Sequence, residues 1–586
     1  MANFQPYESY IRVAAARIGT KHKDPLGNAK RIMRSYILAS SEGASLAVFP
    51  ELSLSGAISP GMGAANDEIF SETQRALLLL AEATSEINCA LVVGLAYRHL
   101  DRLYNAAAFL SDGKVKGIVP SAYEVERSCA FSEYMEPACQ TDKGFFFGRE
   151  LLFSIKGALC GIEVGNSLLS ASPESAALSK MGAVIIANPC TVPAVVGMQE
   201  RWKNSVCLHS GRTISAYISS SGLEESTDAS LLPSGYSIIA ENAEMLSENA
   251  AFSSEQIIYA DIDIKRLDTA RLKCSYSSEP GSIRISTSVA PMQTGLARHI
   301  STHPYLAQHG QPNPEDALKM ASLIQAHGLA GKFELKGAEK MLVSLNSAEG
   351  SALALIAACE ASDILGKYRK DAVLAVNALG SDLASDSYLS VKNLADALGC
   401  STHHADVSLL AQAGVEAIGN DSAAEYANAL AWAEEYAINC IAREHSAIIV
   451  GTEDLSDSAI GKRGIKCHYS VNCSLPKSVV RMLLGLHAKM HPISAVRESI
   501  EAIMAFGHEN ADEPEIGYLR DFILHCFASC GDSPEKIAFL AEHAFGQTYS
   551  AEEIAESIEE LISKSAAKNA NSNGNGPTAF LFGAGA

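Results

Sequence analysis

The sequence predicts a two-domain α/β protein, a layered α/β domain followed by a doubly wound parallel sheet. Three observations lead there. Over roughly the first 270 residues, short β-branched runs alternate with stretches of helical apolar spacing. A second strand-helix series begins near Lys340. Between the two lies 274–315, dense in Ser, Pro and Gly, which is linker composition with room for a short hairpin.

Taken in order, YIRVAAARI, SLAVFPELSLSG, CALVVGLAYRHL, YNAAAFLSDGKVKGIVP and AVIIANPC read as strands, and NAKRIMRSYILASSEG and TQRALLLLAEATSEIN as helices. Alternation of this kind indicates helices layered on sheets. KMLVSLN, AVLAVNAL and SAIIVGTED are each followed by a helical pattern, as parallel strands with helical crossovers require. The expected division is 1–273 and 316–565 as domains, 274–315 as linker and 566–586 as a flexible low-complexity tail, whose Phe580 and Phe582 suit docking on a neighbour.

Composition narrows the function classes. Apolar residues make up 47% and charged residues 19%, the balance of a globular chain. With 67 acidic against 46 basic residues the formal net charge is −21, which repels phosphate backbones and anionic lipid surfaces, so nucleic acid and membrane are not expected partners. No run of about 18 apolar residues appears, and MANFQPYESYIRVAAARIG has no basic segment before an apolar core; a cytoplasmic location is expected. Fourteen cysteines without a CxxC read as reduced thiols. Cys467, His468 and Cys473, with His403 and His404, match no standard zinc spacing.

In VFPELSLSG (48–56), Glu51 stands at the end of an apolar strand, where a carboxylate partly removed from water can act as a general base. VFPEL, LYNAAAFLSDGKVKGIVP, GIEVGNSL and ANPCTVP together resemble, in order and spacing, a nitrilase-type amidase domain, expected as an αββα sandwich. IIVGTEDLSDSAIG, HYSVNCSLPKSVV and SPEKIAFLAEHAF resemble the synthetase half of the glutamine-dependent NAD synthetases, expected as a Rossmann-like sheet of the adenine nucleotide alpha-hydrolase type. The resemblance runs from about residue 5 to about 565, across both domains. It implies a glutaminase working through Glu, Lys and Cys, and a second domain in which ATP activates nicotinic acid adenine dinucleotide for attack by ammonia.

Residue by residue, the resemblance puts Glu51 at the general base, Ser121 where the lysine belongs and Gly165 where the cysteine nucleophile belongs. Glycine has no group with which to form a thioester. Cys160 and Cys190 are the nearby thiols, and both read as packing residues. The family's SGGxDS pyrophosphate loop is matched by Asn346, Ser347, Ala348, Glu349, Gly350 and Ser351, of which only the last keeps its type. Two like charges about 4 Å apart at an effective dielectric near 20 repel by roughly 4 kcal/mol, so an inward-facing Glu349 is expected to oppose polyphosphate.

Thr452 and Asp454 keep the family's form, Asp457 stands at a possible Mg position in place of glutamate, and Lys477 matches a phosphate-contacting lysine. The helix EYANALAWAEEYAINCIA (425–442) lacks the family's arginine, and the end of the chain lacks its basic residues. These departures predict a homologue degenerate in both sites, needing no cofactor, that serves as a scaffold or regulatory subunit in a large homo-oligomer or beside an active paralogue. The alternatives are an active synthetase using ATP and Mg with ammonia or glutamine, and a sensor that binds without turnover.

Overall fold

The computed structural model describes residues 7–56, 67–122, 131–224, 232–254, 256–274, 279–290, 295–305, 314–345, 348–378, 386–419, 422–459, 465–509 and 514–571. The chain forms two compact units, Met1–His299 and Ile300–Ala586.

In the first unit two sheets pack face to face. One contains β1 (Tyr10–Ala16), β2 (Leu46–Val48), β3 (Ala90–His99), β4 (Arg102–Ser111) and β5 (Lys114–Pro120). The other is built on β6 (Leu151–Ile155), β7 (Ala158–Ile162), β8 (Ile185–Cys190), β9 (Ala216–Ser221), β10 (Ile238–Glu241) and β11 (Glu244–Glu248). The first sheet runs β12-β1-β2-β3-β4-β5 and ends in two short strands, with β12 (Ile257–Asp263) antiparallel to β1. The second runs β11-β10-β9-β8-β7-β6 and is extended by β13 (Ile283–Ser286).

Strand alternation decides which residues meet. Val13, Val92 and Phe109 face Phe153, Ile162 and Ile218 between the sheets, and the Phe109 and Phe153 rings stack at 4.1 Å. Their neighbours Ala14, Leu91 and Val93 point the other way, onto α1 (Pro25–Ser41) and α2 (Asp67–Ala83). Helix α3 (Met198–Thr213) covers the outer face of the second sheet through Trp202 and Val206. The result is an α-β-β-α sandwich. Helix α1 starts where Asp24 caps the Gly27 amide and Pro25 takes the first helical position, which needs no N–H partner.

The second unit is a five-stranded parallel sheet in the order β16-β15-β14-β17-β18, made of β14 (Lys340–Ser344), β15 (Val373–Asn377), β16 (Ser401–His404), β17 (Ala447–Gly451) and β18 (Tyr469–Ser470). The order reverses beside β14, the first strand, as in a doubly wound sheet. The helix that follows it, α4 (Ala348–Ile364), is apolar nearly all round and lies within the main core. Other helices of this unit include α5 (Ser408–Ile418), α6 (Ala423–Glu444), α7 (Lys477–Met490) and α8 (Pro514–Leu524).

Two details differ from the sequence expectation. The stretch 274–315 contributes β13, which joins β6 in parallel rather than forming a hairpin, because Ile283 and Ile285 alternate with polar residues. The last helix, Ala551–Asn571, extends into the stretch expected as tail, since SKSAAKNAN is rich in good helix formers. Phe580 and Phe582 lie outside the described residues. Among the described residues, no helix is long and apolar enough to cross a membrane.

Candidate functional site

In the first unit, Glu51 follows β2 on a turn that crosses over β3. The Phe49 amide donates to Val92 O and the Leu54 amide to Gly94 O, at 2.8 and 2.9 Å. The turn lies so close that a Cβ on Gly94 would fall 2.4 Å from Pro50 O and 2.6 Å from Glu51 Cα, so the approach requires glycine. Asn105 Nδ2 on β4 donates to Glu51 Oε1 at 2.5 Å, and Thr191 supplies a second side-chain hydrogen bond. Burial pushes the Glu51 carboxyl above the usual carboxylate range, and these two hydrogen bonds only partly oppose it.

Ser121 is held at the end of β5 by its amide on Asn105 O (2.7 Å), and its Oγ donates to Val164 O (3.3 Å). Gly165 follows β7 with φ of +76°, its amide donating to Pro189 O at 2.8 Å and its carbonyl accepting from Asn188 Nδ2 at 2.9 Å. A Cβ at Gly165 would lie 3.4 Å from Glu51 Oε1 and 3.8 Å from Ser121 Oγ. Three positions carried across from separate motifs thus converge on one point. At that point the described residues bring a carboxyl and a hydroxyl, and among them neither the thiol nor the amine that the family resemblance implies. Cys160 and Cys190 are fully buried in β7 and β8, and burial raises both thiols, Cys160 to about 12. Neither is poised as a thiolate nucleophile.

In the second unit, Asn346 and Ser347 lie outside the described residues, and α4 opens at Ala348. Glu349 is buried, and Arg481 Nε of α7 donates to its Oε1 at 2.8 Å. A guanidinium from a distant helix thus pairs with the Glu349 carboxylate. Ser351 Oγ donates to Ser344 O at 2.7 Å, and Gly350 O accepts from Asn472 Nδ2 at 2.9 Å. Asn472 also donates to Thr452 O (3.0 Å), and its own Oδ1 accepts from Gln325 (3.0 Å).

The carboxylate of Asp454 accepts the Asp457 amide at 2.8 Å and is pushed up to about 7, first by burial and then by the nearby Asp457 charge. Asp521 of α8 accepts from Ser456 Oγ (2.6 Å) and the Ser478 amide (2.8 Å), and the exposed Lys477 favours ionisation of both Asp454 and Asp521. The structure thus gathers Thr452, Asp454, Asp457 and Lys477 around one strand end. Among the described residues, no group of three His, Cys, Asp or Glu side chains is placed to hold a metal. His468 Nδ1 accepts the Ile449 amide (3.0 Å), and Cys473 Sγ lies against Ser470 O (3.4 Å).

Residues 12–272 match the carbon-nitrogen hydrolase family. The glutamine-dependent NAD(+) synthetase of Mycobacterium tuberculosis is 28% identical over an alignment covering 92% of this chain and 86% of its own length. The chain is a homologue of the glutamine-dependent NAD(+) synthetases. The synthetase of Mycobacterium leprae is 26% identical over the same shares, and that of Thermotoga maritima 26% identical over 66% of this chain and 64% of its own. A solved glutamine-dependent NAD+ synthetase from Acinetobacter baumannii, in complex with adenosine diphosphate, covers 98% of this chain and 97% of its own at 16% identity. Its TM-score of 0.38 is too low to bear on the site.

For a glutamine-dependent NAD(+) synthetase homologue, four further residues matter that motif reading passed over: Asn105, Arg481, Asn472 and Asp521. Each acts on a site residue far away in sequence, so no local spacing marks it. The one signal was chemical, since an Arg, an Asp and two Asn in otherwise apolar contexts each require a partner. At the opening of α4 a polyphosphate would meet a carboxylate already paired with Arg481 and a serine hydroxyl already turned to Ser344. Neither of these side chains fits that group.

Proposed function

We propose that this chain is a glutamine-dependent NAD(+) synthetase homologue whose two sites have lost their chemistry and which serves as a structural or regulatory subunit, self-assembling or joining an active paralogue. One observation carries the reading. The position on which Glu51 and Ser121 converge is occupied by Gly165, which has no side chain of its own to form the thioester that the family resemblance implies. The Glu349–Arg481 pair supports the same reading for the second unit. Assembly is supported by an apolar surface on α5 and α6, where a cavity of about 720 Å³ is lined by Leu410, Ile418, Ala429, Trp432 and Tyr436.

A second reading, an ammonia-dependent synthetase that needs ATP and Mg, is favoured by the grouping of Asp454, Asp457 and Lys477 about the end of β17. One assay separates the two. The full chain is incubated with ATP, magnesium, nicotinic acid adenine dinucleotide and saturating ammonia beside an active synthetase, and both NAD and AMP are measured. Ammonia bypasses the missing nucleophile. Silence from this chain beside a working control is expected; NAD and AMP appearing together would sink the proposal for the second unit. Release of glutamate from glutamine would sink it for the first.

A further inference from the structure

Two thiols from distant parts of the second unit meet. Cys359 lies in α4 and is buried, whereas Cys400, just before β16, is partly open to solvent. Their sulfurs are 3.4 Å apart across 41 residues of sequence. A disulfide needs about 2.0 Å, so joining them requires a closing of roughly 1.4 Å. A cation stands beside them: Arg369 donates to Leu398 O (3.4 Å) and to both oxygens of Asp363 (3.1 and 2.6 Å), and its charge acts on Cys359 in favour of the thiolate. The hydrogen bond shared with Cys400 and burial oppose it and hold the Cys359 thiol up. A cysteine that only filled core volume would need neither a second sulfur nor a guanidinium.

We infer that Cys359 and Cys400 are a modification site, a dithiol that a hydroperoxide oxidises to a reversible disulfide pinning α4 to the start of β16. The more open Cys400 reacts first. Its sulfur attacks a peroxide oxygen, the O–O bond breaks, and the departing oxygen leaves as water with the thiol proton, giving a sulfenic acid. The Cys359 sulfur then attacks Cys400, the S–S bond forms as S–O breaks, and a second water carries away the Cys359 proton. Two thiols lose two electrons, and hydrogen peroxide is reduced to two waters. A dithiol reductant reverses the bond. In a reducing compartment such a bond is transient and signals oxidation rather than supporting the fold permanently. The site does not depend on whether either unit retains activity.

The test treats the full chain with hydrogen peroxide, blocks remaining thiols by alkylation and maps the peptides by mass spectrometry. A peptide linking Cys359 to Cys400, split by dithiothreitol and missing from Cys400→Ser, is expected. Oxidation should also raise the denaturation midpoint of the natural chain and not that of the variant. Recovery of Cys359 and Cys400 as separate alkylated thiols, at a dose that oxidises the exposed Cys139, Cys274 and Cys440, would overturn the inference. So would Cys400 recovered as sulfinic acid beside an intact Cys359 thiol, or either sulfur joined to a different cysteine. Should Cys400→Ser fail to fold, the map of the natural chain decides alone.

Discussion

Gly165 holds a left-handed backbone conformation, with φ of +76°, at the point where Glu51 and Ser121 meet. A Cβ would find ordinary contact distances there, so the penalty for adding one is conformational. Gly165→Ala is expected to destabilise the first unit by about 1–2 kcal/mol, read by urea unfolding. Glu51 makes a second prediction. Because its folded pKa is raised, its contribution to stability is fully present below the ordinary Glu value and is lost as pH rises through the folded value. Glu51→Gln keeps the acceptor for Asn105 and removes the ionisable group. The variant should match the natural chain at pH 4 and exceed it in stability at pH 7 to 8. A constant offset across that range would mean the carboxyl does not titrate in the folded state as the structure requires.

Helix α4 shows the same logic one level up. Glu349 and Arg481 lie 132 residues apart and meet because α4 and α7 pack into one core. Removing one partner of a buried pair costs about 3 kcal/mol, whereas replacing both with apolar groups of similar volume is often neutral. Glu349→Ala should therefore lower the unfolding free energy by roughly that amount, and Glu349→Met with Arg481→Leu should recover most of it. The strands that hold the sites were legible in the sequence, since β14, β15 and β17 are short β-branched runs followed by helical patterns. Ser121 and Gly165 were legible only through motif resemblance, and Glu51 also through its place at the end of an apolar strand. Their convergence was not, because it depends on β2, β5 and β7 coming from two sheets. The partner of Glu349 was likewise hidden, since a charge pair between helices leaves no periodic trace.

At the scale of the whole chain, composition foretold a surface dominated by negative charge, and the structure adds an apolar face. Trp432 is 58% exposed and Tyr436 64%, one helical turn apart on α6. Both line the cavity against α5. If copies meet through this face, Trp432→Glu with Tyr436→Glu should lower the assembly mass measured by light scattering. The unfolding free energy should shift by no more than about 0.5 kcal/mol, as is usual for exposed sites. With a formal charge of −21 on each chain, association should strengthen as added salt screens the repulsion.

Asn472 joins two parts of the second unit. Its amide nitrogen is bonded both to Gly350 at the opening of α4 and to Thr452 beyond β17, while its oxygen is held by Gln325. Separating the opening of α4 from the end of β17 therefore breaks at least one hydrogen bond on a buried nitrogen. The seam is a clasp held by one amide, and a group that widens it has to leave a buried donor without its acceptor or supply another.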